Sequence, residues 1–293
     1  MNTEQSTTPA EIAIVPRRPE FDFDQTPRYW LKDPFATHFL NGLSVLVPFS
    51  ERMVIEVVRK HAAKIHDPKL KQECDGLIRQ EGYHALLHQR ANEKLAACGY
   101  PAIYLYERIQ KNVVKFLTKV LPLSFTLSMP AAFEHFTSAI SKEFIRTQSV
   151  WTGGKSNKAV DFTAWHALEE LEHQAVCFDV YKAIGRRPRL ITFYLLFVWI
   201  PLTVFSIYGI QLYMLHKDRV IYKPRNWGPY FRFLWQSLPV LTKGGFKYLD
   251  HHYKPWSDDD RAIYDRHRTE LGYSDNGTAK HLNNSKRGHE PEN

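Results

Sequence analysis

The chain has 293 residues, 44% of them apolar, a formal net charge of +8 and a pI near 9.2. That apolar fraction is ample for a folded core, and the dispersal of the lysines and arginines excludes a nucleic-acid-binding arm. The three cysteines, Cys74, Cys98 and Cys177, are odd in number and lack zinc-type spacing, which excludes a disulfide framework and suits a reducing compartment.

Residues 1–28 are polar and contain several prolines, and are expected to form a disordered N-terminal arm. They lack a basic stretch followed by an apolar one, so no signal peptide is expected. A helical bundle is expected over 29–185. Its first helix is predicted over 50–66, with Ser50 as N-cap and Asp67-Pro68 as the stop. A second covers 68–98 and ends at Gly99-Tyr100-Pro101; a third, amphipathic and basic, covers 103–121. A fourth begins near Pro130 and runs to Trp151, and a fifth runs from Lys158 to Ile184. No stretch shows the alternation of a strand, so the fold class is all-α.

Leu190 to Leu215 contains no Asp, Glu, Lys or Arg and is long enough to cross a bilayer. Arg186, Arg187 and Arg189 flank one end and His216, Lys217 and Arg219 the other, so charge sets no orientation. Pro201 would kink a helix there. Beyond it, Trp227, Tyr230, Phe231, Phe233 and Trp235 alternate with Arg225 and Arg232, as in an interfacial segment. Three readings stay open: a membrane span, a kinked hairpin embedded in or lying on a membrane, and a buried helix of a soluble or dimeric protein. Residues 186–273 are thus an apolar, interfacial helical extension, and 274–293 read as a disordered tail. The basic residues around the apolar run point to anionic lipid.

The chemistry lies in two short runs, Glu81-Gly82-Tyr83-His84 and Glu170-Leu171-Glu172-His173. On a helix, a carboxylate and an imidazole three residues apart share a face. One Glu-x-x-His is an ordinary solvated face. Two, each preceded by a separate helix with an inward carboxylate, form the ligand pattern of a dinuclear iron or manganese site in a four-helix bundle. Glu51 and Glu134 supply the single carboxylates. Glu51 stands near the expected helix start, where a Glu also complements the dipole, and Glu56 is its substitute. The expected metal ligands are Glu51, Glu81, His84, Glu134, Glu170 and His173. Glu51, Glu81 and His84 come from one helix pair, and Glu134, Glu170 and His173 from the other. Hard carboxylates with imidazoles suit two iron ions, with manganese or zinc as alternatives. His88 extends the first stripe and His166 the second; each ligates, steadies a ligand or serves as catalytic acid or base. Glu169 and Glu172 read as supporting or solvated residues, His135 as a surface or packing histidine, and Trp165 as core.

At these residues the chain resembles a family described as predicted metal-dependent hydrolases, placed with the ferritin-like proteins. The resemblance rests on Gln80-Glu81 through His84 and on His88 with Asn92. It also rests on Glu134-His135-Phe136-Thr137 and on Trp165-His166 through His173, with Asp179 after it. It extends to His252-Tyr253-Lys254-Pro255-Trp256 and covers most of residues 28–270. It implies a ferritin-like four-helix bundle and a metal-dependent enzyme. More distantly the chain is similar to acyl desaturases and amine oxygenases, whose Glu-Glu-x-x-His is matched by Glu169 to His173. Three functions follow as expectations. The first is a di-iron enzyme oxidising a lipophilic substrate with dioxygen. The second is a binuclear hydrolase of an ester or phosphoester. The third is a non-enzymatic metal-binding membrane protein. The expected partners are a lipophilic small molecule and a membrane surface or bilayer, with no nucleic acid and with a homodimer left open. The bundle is expected on the cytoplasmic side of a membrane.

Overall fold

Two Asp-Pro pairs open the first two helices. In the computed structural model, Asp33 caps α1 (Pro34–Ala62) and Asp67 caps α2 (Pro68–Ala97), each carboxylate accepting from the backbone N–H three residues on. They are followed by α3 (Ile103–Val120), α4 (Leu123–Thr152), α5 (Lys158–His173), α6 (Val176–Ile184), α7 (Pro188–Lys217), α8 (Trp227–Lys243) and α9 (Asp258–Glu270). The structure describes residues 5–184, 188–243 and 253–274, and among these every regular element is helical.

α1 starts at Pro34, not near Ser50, and carries Pro48 in its interior. A proline has no N–H for the carbonyl four residues back, which here belongs to Ser44. The side-chain amide of Asn92, on α2, donates to that carbonyl at 3.0 Å, so the helix continues through the proline. Ser50 is therefore not a cap; its hydroxyl donates back to the Leu46 carbonyl at 3.2 Å. Likewise α4 begins at Leu123 and passes through Pro130; Gly153, in the left-handed region at φ 61°, ends it. The expected fifth helix breaks at Gln174-Ala175 into α5 and α6.

α1, α2, α4 and α5 pack as a four-helix bundle. Neighbours run antiparallel. On α1 and α2, Ser44 meets His88 while Glu51 meets His84; on α2 and α5, His88 meets His166 while Gln80 meets His173. α3 forms the crossover between the two hairpins and lies on α1, where Gln110 donates to the Ser50 hydroxyl at 3.0 Å.

The described side chains of α7 begin at Pro201. Ile207, Ile210 and Met214 are buried against α1 and α4. The approach to α1 is close: a Cβ on Gly42 would come within 2.9 Å of the Ile207 carbonyl oxygen. Among the described residues no helix is long and apolar enough to cross a membrane. The side chains of 190–200, the first part of the apolar run, lie outside the described residues, as does the expected tail beyond Ser274.

The N-terminal arm is not disordered from residue 5 onward, because its polar groups meet buried partners. The Ser6 hydroxyl donates to Glu73 at 2.9 Å, and the Thr7 backbone and hydroxyl donate to Asp179 at 2.6 and 2.8 Å. Further on, Arg17 is buried against α5.

Candidate metal centre

Helix spacing alone aligns Glu81, His84 and His88 on α2 and His166, Glu170 and His173 on α5. α1 and α4 each add one carboxylate at the same level, Glu51 and Glu134. All eight side chains are buried or nearly so. The interior is apolar around them: Leu77, Leu168 and Leu171 are fully enclosed.

The seven innermost residues fall into two adjoining groups. Glu51, His84, His166 and Glu170 form one, and Glu81, Glu134 and His173 the other; within each, one ligand atom per residue lies within 4.8 Å of the rest. In the first, His166 Nε2 stands 2.9 Å from Glu170 Oε1 and 3.5 Å from Glu51 Oε1, while His84 Nδ1 stands 3.9 Å from Glu51 Oε1. In the second, His173 Nδ1 stands 2.9 Å from Glu81 Oε1 and 3.4 Å from Glu134 Oε2. His84 Nδ1 also lies 3.4 Å from Glu81 Oε1, which joins the groups. Each group draws on both helix pairs. Glu81 stands between His173 of its own group and its motif partner His84 in the other, because the register of α2 against α5 sets the neighbours.

The outer face of each imidazole is fixed by hydrogen bonds. His84 Nε2 donates to Glu169 Oε2 at 2.9 Å. His173 Nε2 donates to Gln80 Oε1 at 2.7 Å; the Gln80 amide nitrogen donates to Glu172 at 2.8 Å and to the Val15 carbonyl at 3.1 Å, which settles which end of Gln80 faces the ring. For His166 the chain of reasoning is longer. The Ser44 hydroxyl donates to Asn92 Oδ1 at 3.0 Å, so at 2.8 Å it accepts from His88 Nδ1. His88 Nε2 is then an acceptor, and His166 Nδ1 donates to it at 3.1 Å. In their neutral forms all three rings thus turn a lone pair inward. His84 Nδ1, His166 Nε2, His173 Nδ1 and both oxygens of Glu51, Glu81, Glu134 and Glu170 are buried without a hydrogen-bond partner among the described residues. Such a convergence of orphaned donor atoms is costly unless a cation satisfies it. Four hard carboxylates and three imidazoles fit iron or manganese.

Protons occupy the cluster when no cation does. Burial pushes Glu51 well up and Glu134 to about 8, with the neighbouring Glu81 charge adding to both. Burial also opposes the ionised form of Glu81, but the adjacent His173 and His84 rings, when charged, hold it below the usual carboxylate range. Burial lowers His84, yet Glu169 and Glu81 outweigh it and raise the ring to about 9. His88 goes the other way: burial, then His166 and His84, hold it neutral, well below the ordinary value.

A cation stands behind the cluster. Arg17 Nη1 lies 3.0 Å from Glu169 Oε1 and Arg17 Nη2 2.7 Å from Glu172 Oε1. Glu169 holds His84, and Glu172, through Gln80, holds His173, so one guanidinium anchors a ring from each group. Tyr264, on α9, donates to Glu172 at 2.9 Å. The sequence expectation marked Glu169 and Glu172 but missed Arg17, which carries no local signal in a polar, proline-bearing segment.

One cavity opens beside the cluster, and another shares part of its wall further from the cluster. The first, about 280 Å³, reaches Glu170, His166 and His88 at its inner end and Pro27, Arg28 and Cys98 at the surface. Leu43, Val47, Leu95 and Phe162 make most of its wall apolar. The second, about 490 Å³, lies between α1, α4 and α8. Leu40, Ile140 and Phe144 line both.

Of the other residues singled out by sequence, Glu56 is exposed. His135 is nearly buried, with the Tyr253 hydroxyl 3.4 Å from its Nδ1. Trp165 is buried, edge-on to His84. A model of the family described as predicted metal-dependent hydrolases matches residues 15–259. No curated protein and no solved structure matches the chain.

Proposed function

Because the chain belongs to the family of predicted metal-dependent hydrolases, we propose that its buried cluster is the metal centre of an enzyme acting on a lipophilic substrate. The observation that carries this reading is the shared polarity of His84, His166 and His173: each commits its outer nitrogen and turns its inner one toward orphaned carboxylates. Glu51, His84, His166 and Glu170 would hold one ion, and Glu81, Glu134 and His173 a second. Bound there, iron or manganese would supply either redox chemistry with dioxygen or Lewis-acid activation of water.

The remaining residues position and exclude. The apolar wall of the first cavity binds a hydrocarbon chain and keeps bulk water from the inner end, where Glu170 and His166 are reached. His88, the imidazole beside them, has both nitrogens engaged and is held neutral by burial, so it steadies His166. Oxidation of the lipophilic substrate with dioxygen is one reading, supported by the carboxylate-rich donor set. Hydrolysis of an ester or phosphoester is the other, and the family's description favours it.

Metal analysis combined with oxygen uptake tests both. Protein loaded with iron(II) under argon is expected to consume dioxygen on exposure to air, in step with oxidation of a fatty substrate. Occupancy by zinc, with ester cleavage and no response to oxygen, would select hydrolysis. Glu81→Ala and Glu170→Ala should each lose at least one metal equivalent; full metal content in both variants refutes the centre itself.

A further inference from the structure

Three helices that pack on the bundle turn a second apolar stripe outward. On α3, Ile103, Gln110 and Val114 face the bundle, while Leu105, Ile109, Phe116 and Val120 lie on the opposite side and are exposed, Phe116 by 62%. On α8, Tyr230, Phe233 and Ser237 face inward and Trp227, Phe231 and Trp235 outward, with Trp235 exposed by 83%. Between them, α7 buries Ile207, Ile210 and Met214 and exposes Leu202, Phe205 and Leu212, with Phe205 exposed by 78%.

Contacts at the two borders of the α7 stripe join these into one face. On one side the Tyr208 hydroxyl lies 2.7 Å from the Ser237 hydroxyl of α8. On the other, the Tyr213 ring packs 6.3 Å from Tyr106 of α3, and its hydroxyl accepts from the Ala102 N–H at 3.2 Å. An exposed apolar surface carried by three adjoining helices exceeds the scattered apolar residues of an ordinary surface.

Charge says what covers it. Arg108, Lys111, Lys115 and Lys119 run along one border of the α3 stripe at three- and four-residue spacing, all exposed. The one carboxylate of α3, Glu107, is turned away to accept from Asn92 at 3.0 Å. Arg225 and Arg232 are exposed beside the α8 stripe. A second copy of the chain would bring an equally basic face against this one. We propose that the outer face of α3, α7 and α8 docks on an anionic lipid bilayer, with the apolar stripes entering the headgroup boundary and the lysines and arginines meeting lipid phosphates. The inner side of α7 is committed to α1 and α4, so on its described residues the protein rests on the bilayer and does not cross it.

Co-sedimentation of the full chain with vesicles tests the proposal. The protein should pellet with phosphatidylcholine vesicles that contain phosphatidylglycerol, less with phosphatidylcholine alone, and less again as salt is raised. The combined Phe116→Ser, Phe231→Ser and Trp235→Ser variant should lose this binding while keeping its helicity and metal content, since all three positions are exposed. Replacing Lys111, Lys115 and Lys119 by Ser should weaken binding by about fivefold for each lysine removed. The proposal is overturned by a wild-type chain that ignores both vesicles, or by variants that bind as well as it does. It is equally overturned if light scattering shows a dimer that the apolar variant dissociates while vesicles go unbound, which would make the face a contact between copies.

Discussion

The Arg17 guanidinium lies 3.0 Å from one oxygen of Glu169, and the other oxygen of Glu169 accepts the ring N–H of His84 at 2.9 Å. A residue near the start of the chain thereby fixes the tilt of a candidate ligand on α2. Arg17→Met removes the charge and keeps the stem, leaving Glu169 and Glu172 buried and uncompensated. Breaking a buried pair in this way costs about 3–5 kcal/mol. Denaturant unfolding should show that loss, and competitive titration with manganese(II) should show affinity falling by about 10- to 100-fold. Arg17→Lys should restore little, because an ammonium cannot serve both carboxylates in the same planar geometry.

Metal uptake should strengthen with pH. Glu134, raised to about 8, and His84, raised to about 9, hold protons that a cation must displace. Both folded values lie above the unfolded ones, 4.5 and 6.5, so the stability these groups give the metal-free chain is present at low pH and is lost as pH rises through about 8 and 9. Thermal unfolding at about pH 6 and about pH 10, with and without manganese(II), should therefore show metal-free protein weakening on the alkaline side and the gap to loaded protein widening. Calorimetry in buffers of different ionisation enthalpy should register proton release.

The relay behind His166 gives a selective loss. His88→Phe leaves His166 Nδ1 without its acceptor and frees the ring to turn away from Glu51 and Glu170. The group containing Glu51 should lose about tenfold or more in metal affinity while that of Glu81, Glu134 and His173 is spared, which a two-site titration resolves.

Asn92→Leu should destabilise by a different route. It strips the Ser44 carbonyl of the donor that compensates for Pro48, at a cost of about 1–3 kcal/mol by denaturant unfolding.

Ala91 is half-buried in the wall of the first cavity. Ala91→Trp should obstruct that cavity without touching the cluster. Uptake of a fluorescent fatty-acid analogue should fall while metal content stays constant, and an unchanged uptake would place substrate elsewhere.

The six residues on α2 and α5 were legible because each trio sits within two turns, where spacing alone dictates a shared face. Glu51 was legible as a carboxylate but not as a mid-helix residue. Pro48 reads as a break unless one knows that Asn92 answers it across the bundle. The grouping of Glu81 with Glu134 and His173 depends on register between helices that no local pattern encodes. Arg17 is further from legibility still, since its partners stand 152 and 155 residues later in the chain. The arm reads as disordered because its polar composition is that of solvated chain; only tertiary structure supplies the buried carboxylates that order it.

Leu40, Ile140 and Phe144 belong to the walls of both cavities, so their side chains stand between the two spaces. Backbone partitions yield only when helices shift; a partition of this kind yields when a few torsions hop between staggered wells. The depth of the first cavity is thus set by side-chain torsions at these three positions. Leu40→Ala, which trims one of the shared side chains, should therefore lengthen the space a chain-like guest can fill from the first cavity toward α8.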